Sequence, residues 1–566
     1  MINLQRTRAQ ESRAAIQRLY IAMRHLFIRG GYKPLGVSGE AMIDAMMDLR
    51  PEIYGTISDP ERVELEGLLY VFQRLPIGIE ECRYIRLVSR EGFENSGFEP
   101  IVPSKRRRNC YRIDEEQMLI EVTKGRSDIY DVLTHLTFLY IEAEKIRRAS
   151  LDSKNRKKRD FLNLEDIIAL EQNGEKFSKE VASTYLANLI GRTFEETHEA
   201  VKKFESSSQV NSLFHIIYFL GKLAIEEAVE ENDREITFSS ALREKIGHHI
   251  YGELWANNIK ALIHKKKWLE RPLHIISSNP HSVMNSIFAH SAIEESAGMS
   301  LEEVAAELSL PEKKDWRKAV LTHALDNGMY QLEDDSGTSL TVQLFDTTKI
   351  DASILPPEVE WNEEFVKKNK PILIVMDYAF GEQAYEVMDE LLKPYEPEPG
   401  KKIPLNFASI SIMGKAGILM GGKGDLMVPT AHVFEGTADN YPLENDFSKK
   451  DFEDNGLQVF EGPMITVLGT SLQNKDILRY FVKSSWRAIG LEMEGAHYQK
   501  AIQAASKIRN SISPNVKVRY AYYASDNPLI TGHTLASGAL GLDGVKPTYL
   551  ITVKILNKIM RGDDRG

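Results

Sequence analysis

The chain has 566 residues, of which 42% are apolar and 27% charged, and its formal net charge at pH 7 is −11. This length exceeds what one hydrophobic core supports, and the acidic balance argues against a general nucleic-acid coat or a protein that binds anionic membranes. Two cysteines, Cys82 and Cys110, exclude a disulfide framework, and no apolar run is long enough for a membrane span or a signal peptide, so we expect a cytoplasmic protein.

Residues 1–265 are predicted to form a mainly helical region. The stretches "ESRAAIQRLYIAMRHLFIRGG" at 11–31 and "SDIYDVLTHLTFLYIEAEKIRR" at 127–148 carry apolar residues three and four positions apart, which is typical of amphipathic helices. The first stretch ends at a glycine pair, a common helix stop. The pattern assigns no function to this region.

Two basic runs interrupt the helical region, "SKRRRNCYR" at 104–112 and "KNRKKRD" at 154–160. A solvated loop is the expected interpretation of each run. Contact with an anion or with a nucleic acid is the alternative.

Histidine and acidic residues occur near one another on predicted helices, at His135 with Glu142 and Glu144 and at His249 with Glu253. A helical metal pair needs a spacing of three or four residues and a third ligand. The second pair has this spacing, but no third ligand can be identified. We therefore predict no metal site and no cofactor.

From residue 266 the pattern changes, and residues 266–355 are predicted to form a small α/β or winged-helix-like module. "LHIISSNPHSVMNSIFAH" at 273–290 predicts a strand, a turn and a helix capped by Ser278 or Asn279. The start of that helix could bind a phosphate, although an ordinary cap explains the same residues. Residues 300–350 predict two short helices and then strands, and because the second helix is not notably basic, packing is favoured over DNA binding.

The stretch "ILPPEVEWNEEFVKKNK" at 354–370 is a predicted linker, and a new domain is expected at 371–566. In this domain short apolar strands alternate with helices, which indicates an α/β sandwich with a largely parallel sheet. Ligands of such sheets gather at the ends of the strands.

Three strand ends in this domain carry residue types suited to chemistry. They are "GKAG" at 414–417 followed by "GGKGD" at 421–425, "EME" at 492–494, and "SDNP" at 525–528. The glycines would let backbone N–H groups approach an anion, and Lys415 would add positive charge. Each motif alone is also consistent with an ordinary turn or cap.

In this order the three motifs resemble the purine nucleoside phosphorylase and nucleosidase superfamily. That family has a glycine loop followed by "GD" and a strand, a D/E-M-E segment that opens a helix, and a strand that ends in "SD". Within it, AMP nucleosidase is the most similar, through "SDNPLITGHTLASG" and a glycine loop without the usual Ser or Thr. The resemblance covers about residues 371–560. It implies a phosphorylase-like three-layer α/β sandwich, a purine nucleoside or nucleotide as substrate, and a homo-oligomer.

The resemblance also implies roles for individual residues. Asp526 would protonate the purine while the N-glycosidic bond breaks, and Glu494 would accept hydrogen bonds from the ribose hydroxyls. These residue types suit the roles, because a desolvated carboxylic acid can stay protonated near neutral pH and a carboxylate offers two acceptor oxygens. Met493 would lie against the sugar and Ser525 would orient Asp526, whereas Glu492 would face away and serve packing or a salt bridge.

The nucleophile is either water or phosphate in this family. Its phosphorylases carry a Ser or Thr after the first loop glycine and an arginine before the loop, but this chain has Lys415 and no arginine there. Lys415 could still hold inorganic phosphate or the 5′-phosphate of a nucleotide. For hydrolysis, Glu382 is the candidate base and Asp377 the alternative. Hydrolysis is predicted, with phosphorolysis or nucleotide sensing without turnover as the alternatives.

Four further residues are candidates for lining the pocket. They are Gly414 and Gly417 in the glycine motif, His432 after the strand "DLMVP", and Thr470 in "GTS". Each of them also has an ordinary structural explanation.

Overall fold

The structure is a computed structural model that describes residues 7–106, 108–207, 210–453, 455–530 and 540–562. It separates into two compact units. The first contains the residues up to His248 together with Ser471–Ile477, and the second contains His249–Thr470 and the residues from Leu478 onward. Among the helices of the described ranges, none combines the length and the apolar character needed to cross a membrane.

The helices of the described residues are numbered α1 to α18 in chain order. They span Arg8–Arg29, Val37–Leu49, Leu65–Phe72, Gly125–Ser150, Arg159–Gln172, Lys179–Ile190, Phe194–Glu205, Leu213–Val229, Ser240–Gly247, Ile250–Lys265, Pro280–Ala292, Leu301–Ser309, Lys314–Asp326, Glu363–Asn369, Gln383–Leu391, Lys475–Lys483, Gly495–Gln503 and Val545–Met560.

The strands are numbered β1 to β15 in the same way. They span Gly31–Tyr32, Tyr84–Val88, Cys110–Arg112, Gln117–Glu121, Glu235–Phe238, Leu273–Ser277, Met329–Leu332, Val342–Asp346, Ile372–Met376, Phe407–Ile418, Leu426–Phe434, Asn440–Pro442, Val459–Thr466, Gly490–Glu492 and Lys517–Asp526.

The first unit combines α1 to α9 with a five-stranded sheet in the order β1-β5-β2-β4-β3. Strand β2 pairs in parallel with β4 and β5, whereas β1 and β3 are antiparallel edges. The expected mainly helical region therefore also contains a sheet. Its strands have at most five residues, too few to show an alternating pattern beside long helices.

Helix α4 carries polar side chains into the core of the first unit. Asp128, Asp131, His135 and Glu142 are each at most 9% exposed. Glu142 pairs with Lys145 at 2.9 Å, but burial outweighs this contact and raises the pKa of the carboxyl group to about 7. The helix is buried on most sides, with these polar side chains inside the unit.

Two arginines of the first basic run turn into the first unit. Arg108 is 6% exposed, and its guanidinium binds Asp128 and Asp131 of α4 at 2.6 Å each. Arg106 binds Asp131 at 3.2 Å. The expectation of a solvated run at 104–112 is therefore wrong for these two arginines, since both reach buried carboxylates.

The second unit is built on a ten-stranded sheet in the order β12-β11-β13-β14-β10-β6-β9-β8-β7, and β15 pairs with both β10 and β11. The parallel pairs are β6 with β9 and β10, β10 with β15, β11 with β13, and β13 with β14. The other pairs are antiparallel. The sheet is mixed, so the expectation of a largely parallel sheet is corrected.

Strands β6, β7 and β8 belong to this same sheet, so the expected separate module at 266–355 is wrong. Strand β6 lies between β9 and β10, with Leu273 opposite Ile372. Strand β8 pairs with β9, so the β7–β8 hairpin is not the wing of an independent module. The predicted linker packs within the unit, where the N–H of Glu360 donates to Asn557 Oδ1 at 2.9 Å. The prolines and charged residues of 354–370 indicate a connection at the surface, but they do not show that the strands before and after it pair in one sheet.

Alternate residues of the central strands face two separate cores. In β9, Ile372, Ile374 and Met376 pack in one core with α10, α15 and α17, whereas Leu373 and Val375 pack in the other with α11 to α13 and α18. This is the period of two that a strand imposes. Helices therefore cover both faces of the sheet.

Candidate functional site

The candidate site lies where three strands of the second unit end side by side. Gly417, near the end of β10, pairs with Leu491 of β14 on one side and with Asp526 of β15 on the other. Neighbouring strands lie about 4.8 Å apart, so the two flanking backbones are about 10 Å apart at this level. The acidic residues that follow β14 and end β15 therefore flank one strand end.

Glu494 is held between two strand ends. It occupies the N-cap position of α17 and is 7% exposed. Its Oε1 accepts a hydrogen bond at 3.0 Å from the N–H of Gly381, in the turn after β9, and its Oε2 lies 3.2 Å from the amide nitrogen of Met493. Gly381 has a φ of +54°, a conformation that favours glycine. The glycine thus allows the turn to present its N–H to the carboxylate.

Glu492 binds different partners. Its carboxylate accepts hydrogen bonds from Thr466 Oγ1 and from the N–H groups of Glu494 and Gly495, and lies 3.4 Å from His432 Nδ1. Burial opposes the charge, but His432, Thr466 and the Gly495 N–H together lower the pKa of Glu492 below its usual value. These groups of the fold hold Glu492, and its predicted role in packing or a salt bridge stays a prediction.

His432 supports Glu492 from below the site. Its side chain is 0% exposed, and its ring centroid lies 4.8 Å from that of Tyr520 and 6.1 Å from that of Tyr522. His432 is thus enclosed among Glu492 and the two tyrosines, and its predicted contact with a substrate stays a prediction. A Cβ on Gly495 would overlap the imidazole ring, which explains why glycine stands there.

Asp526 is hydrogen-bonded to its neighbour Ser525. Asp526 is 2% exposed, and the Ser525 hydroxyl is hydrogen-bonded to its carboxyl group and lies 3.1 Å from the carbonyl oxygen of Ala416. A hydroxyl has one proton to donate. If the Ser525 hydroxyl donates its proton to the Ala416 carbonyl oxygen, it can only accept a hydrogen bond from Asp526, which requires a protonated Asp526. If it donates to Asp526 instead, the carboxyl group can be ionised. The arrangement can therefore accommodate Asp526 in either protonation state.

Two tyrosines that the sequence analysis missed lie next to these groups. The Tyr498 hydroxyl is 2.9 Å from Ser277 Oγ at the end of β6 and accepts the N–H of Ala379 at 3.1 Å. Burial raises the pKa of Tyr498, and the hydrogen bond with Ser277 opposes the rise. The ring of Tyr378 lies 5.8 Å from that of Tyr498. A signal existed for Tyr498, which lies one turn into the helix that the "EME" motif opens.

Glu382, the predicted base, directly follows the glycine that binds Glu494. It is half-buried, and its charge acts on His497 of α17. Burial lowers the pKa of His497, while Glu382 opposes this change. Asp377, the alternative base, accepts the N–H of Tyr378 at 2.8 Å, as in an ordinary turn. Of the two candidates, Glu382 is the one adjoining the Glu494 contact.

The glycine motif does not form the expected loop. Gly414, Lys415 and Gly417 lie inside strand β10. The turn follows at 419–425, where Asp425 accepts the N–H of Gly422 at 2.8 Å. The predicted anion-binding loop at 414–417 is therefore corrected to a strand segment.

Lys415 and Gly414 point to opposite faces of β10. A Cβ on Gly414 would lie 2.8 Å from the ring of Tyr378, so glycine is needed for this close packing. Successive side chains of a strand alternate between faces. The exposed side chain of Lys415 therefore leaves on the face opposite Tyr378.

The predicted substrate contacts of Thr470 and Met493 also stay predictions. Thr470 begins the short 3-10 turn Thr470–Leu472 after β13, and Met493 is 8% exposed beside Glu494. Of the segment "SDNPLITGHTLASG", residues 531–538 lie outside the described residues.

One acidic cluster in the described part of the first unit has the spacing of a metal site. Ligand atoms of Glu80, Glu81 and His215 lie within 4.8 Å of one another. His215 Nε2 is 2.7 Å from one oxygen of Glu81, and Arg112 is 2.6 Å from the other. Because cationic partners already hold Glu81, this donor set fits an ion-pair network better than a metal.

The model of a family described as "Family of unknown function (DUF6909)" matches residues 40–307 and 308–561. No curated protein matches.

Several solved structures are similar over about half of the chain. The AMP nucleosidase of Bacteroides thetaiotaomicron is 13% identical, covering 55% of this chain and 99% of its own, with a TM-score of 0.29. The 5′-methylthioadenosine/S-adenosyl homocysteine nucleosidase of Campylobacter jejuni is 12% identical, covering 51% and 99%, with a TM-score of 0.29. Uridine phosphorylase isoform 2 of Schistosoma mansoni is 12% identical, covering 54% and 93%, with a TM-score of 0.30. At these values the similarity assigns no activity.

Proposed function

Because this chain belongs to the DUF6909 family, whose description assigns no activity, we propose from its own site that it cleaves the N-glycosidic bond of a purine nucleoside or nucleotide. The observation that carries the proposal is the pairing of Gly417 with both Leu491 and Asp526. This pairing brings a buried acid, Asp526, and a buried carboxylate, Glu494, to the two sides of one strand end.

The reaction needs a proton for the leaving base. In the proposed step the C1′–N9 bond breaks while Asp526 transfers its proton to N7, so that the purine leaves neutral and Asp526 becomes a carboxylate. Ser525 supports this role, because its hydroxyl can accept a hydrogen bond from protonated Asp526 before the transfer and donate one to the Asp526 carboxylate afterwards.

The sugar develops positive charge as the bond breaks. Glu494 is suited to hold the ribose hydroxyls, since a carboxylate makes charge-assisted hydrogen bonds with them. The Gly381 N–H fixes one of its oxygens and thereby its orientation. Met493 would then form the apolar floor beside the sugar.

Water is the nucleophile in this proposal. Glu382 would take a proton from the water that adds to C1′, which releases the free sugar or sugar phosphate. Lys415 supports hydrolysis over phosphorolysis, because its side chain leaves β10 on the face opposite Tyr378.

The experiment incubates the full chain with AMP, adenosine and inosine, with and without phosphate, and follows free base by chromatography. We expect base release without phosphate, and Asp526→Asn should lower kcat by about 10²–10⁴ because an amide cannot act as the acid. Asp439→Asn, an exposed position in the same unit, is the matched control. Full turnover by Asp526→Asn would remove the acid assignment.

Two other results would point to the alternatives. Strict dependence on phosphate would show phosphorolysis. Tight binding of a nucleotide with no base release from any substrate of a wide purine and pyrimidine panel would favour a nucleotide-sensing protein.

A further inference from the structure

The turn from β9 to α15 is held by side chains. Its successive N–H groups, at residues 378–381, each donate to a side-chain oxygen. In chain order the acceptors are Asp377 Oδ1 at 2.8 Å, the Tyr498 hydroxyl at 3.1 Å, Gln383 Oε1 at 3.2 Å and Glu494 Oε1 at 3.0 Å. A buried N–H group that loses its acceptor is costly, so these side chains determine the conformation of the turn.

Two of the four acceptors come from helix α17. Tyr498 and Glu494 lie 119 and 113 positions along the chain from the N–H groups that they accept. They are one helical turn apart, since the N–H of Tyr498 donates to the carbonyl oxygen of Glu494 at 2.9 Å, and such a pair shares one face of a helix. One face of α17 therefore binds the turn at two points.

The Tyr498 hydroxyl can use both its acceptor and its donor capacity. It accepts the N–H of Ala379, and it lies 2.9 Å from Ser277 Oγ at the end of β6, to which it can give its proton. Tyr498 and Ser277 are both 0% exposed, and Ala379 is 2% exposed. Phenylalanine in place of Tyr498 would keep the ring but take this acceptor away from a buried N–H group.

The turn leads directly to Glu382, the proposed base. Glu382 follows Gly381 and is the N-cap residue of α15. The N–H of Ala384 donates to the carbonyl oxygen of Gly381 at 3.0 Å, so the turn continues into the helix without a break. The position of Glu382 therefore depends on the contacts that fix residues 379 and 381.

We propose that Tyr498 is a positioning residue for Glu382. Together with Glu494 it holds the turn against α17, so that the carboxylate proposed to bind the ribose and the carboxylate proposed to activate water keep a fixed separation. This inference rests on the function proposed above. Tyr498 acts through the turn and not on the substrate, because its side chain is enclosed between the turn and β6.

The kinetic test uses the full chain with AMP and with adenosine, without phosphate. We expect Tyr498→Phe to lower kcat by about 10–10² and to change KM less than about threefold, because the substrate contacts stay while the base is misplaced. Tyr549→Phe is the matched control. It removes a hydroxyl that accepts a hydrogen bond from Asn285 at 2.8 Å in the other core of the same unit, and it should keep the kcat of the wild type.

A double-mutant cycle separates positioning from a general effect on the fold. If Tyr498 acts through Glu382, Tyr498→Phe should lower kcat less than about twofold in a Glu382→Gln background. A decrease as large as in the wild-type background overturns the proposal.

Ser277→Ala serves as a second variant in case Tyr498→Phe does not fold. It keeps the phenol and removes the partner that orients its hydroxyl. We expect it to lower kcat about two- to fivefold, again only when Glu382 is present. No loss of kcat in either variant, or a loss that persists in the Glu382→Gln background, overturns the proposal.

Hydrogen exchange of residues 377–383 tests the positioning without turnover. The N–H of Ala379 should exchange at least about tenfold faster in Tyr498→Phe than in the wild type, and Tyr549→Phe should leave it unchanged. Equal exchange in Tyr498→Phe and the wild type, with base release by the wild type, overturns the positioning role alone. If the wild type releases no base, the proposed function and the positioning of a base both fail, whatever the exchange shows.

Discussion

Glu492 and Glu494 have different partners, because each binds the groups nearest to its own backbone position. Glu492 ends β14 and lies beside Thr466 of the neighbouring strand β13 and His432 of β11, the next strand but one. Glu494 starts α17 and finds the N–H of Gly381 in the turn after β9. The first carboxylate binds N–H groups at the start of the helix, and the second lies at the strand ends, where the proposed reaction would place the sugar.

Replacement of Glu492 should change how stability depends on pH. Its folded-state pKa is lowered below the ordinary value of 4.5, so the carboxylate stabilises the fold above that pH and loses this effect as the pH falls through the lowered pKa. We expect Glu492→Gln to lower the free energy of unfolding by about 1.5–3 kcal/mol at pH 7, because charged hydrogen bonds are lost. Urea unfolding of both proteins between pH 7 and pH 3.5 measures the difference.

The difference between the two proteins should narrow below pH 4.5. The exposed carboxylate Glu444, replaced by Gln, is the matched control in the same unit. A difference that stays constant over the whole pH range would contradict the role assigned to Glu492.

Strand β10 organises the candidate site because it pairs with β6, β14 and β15. Its alternation sends Gly414 toward Tyr378 and Lys415 toward the opposite face. Near its end, Gly417 lies between Leu491 of β14 and Asp526 of β15, so β10 separates Asp526 from Glu494, which follows β14. Strand β10 thus sets the distance between the two acidic residues and the face of the sheet on which Lys415 lies.

Lys415→Ala tests this orientation. If water is the nucleophile and Lys415 points away from the site, phosphate-independent kcat should stay close to that of the wild type. If Lys415 instead held an attacking phosphate, its removal would lower the phosphate-dependent kcat by roughly 10²–10³. Initial rates with AMP and with adenosine, each with and without phosphate, decide between the two, and Lys423→Ala in the following turn is a control at another exposed lysine.

The strand ends could be predicted from the sequence, but the neighbours of each strand could not. The motifs at 492–494 and 525–528 follow apolar runs, and the structure places them at the ends of β14 and β15. The glycines at 414–417 suggested a loop, yet this segment is a strand, and Gly414 stands there because a side chain would overlap the ring of Tyr378. The partners of Glu492 and Tyr498 come from strands far apart in the chain, and local patterns do not encode such pairing.

At the scale of the molecule, the first unit is made from two pieces of chain. Ser471–Ile477 belongs to it, although the residues on both sides belong to the second unit. The side-chain amide of Asn474 donates to the carbonyl oxygen of Leu49 at 2.8 Å, and the N–H of Glu52 donates to the carbonyl oxygen of Gln473 at 2.9 Å. The boundary predicted at residue 371 does not account for this second piece of the first unit. The piece is short and has no unusual composition that would mark it in the sequence.

A fragment of residues 249–566 should therefore be prone to aggregation. It would retain 471–477 without the partners of that segment, and Leu472 and Ile477, which are 1% and 0% exposed in the intact chain, would lose cover. We expect aggregation in size-exclusion chromatography and increased binding of the dye ANS. The matched control is the same fragment with a Gly-Ser linker in place of 471–477, which should be less prone to both. Equal behaviour of the two fragments would argue against this account.

The two-piece first unit also sets an order of events during synthesis. Residues up to His248 leave the ribosome early, but the last piece of their unit ends at Ile477. At about 5–20 residues per second, a nascent chain waits roughly ten to fifty seconds before that piece is made. During this interval the surface that receives 471–477 is uncovered, so the nascent chain exposes it to chaperones and to other chains until Ile477 has been made.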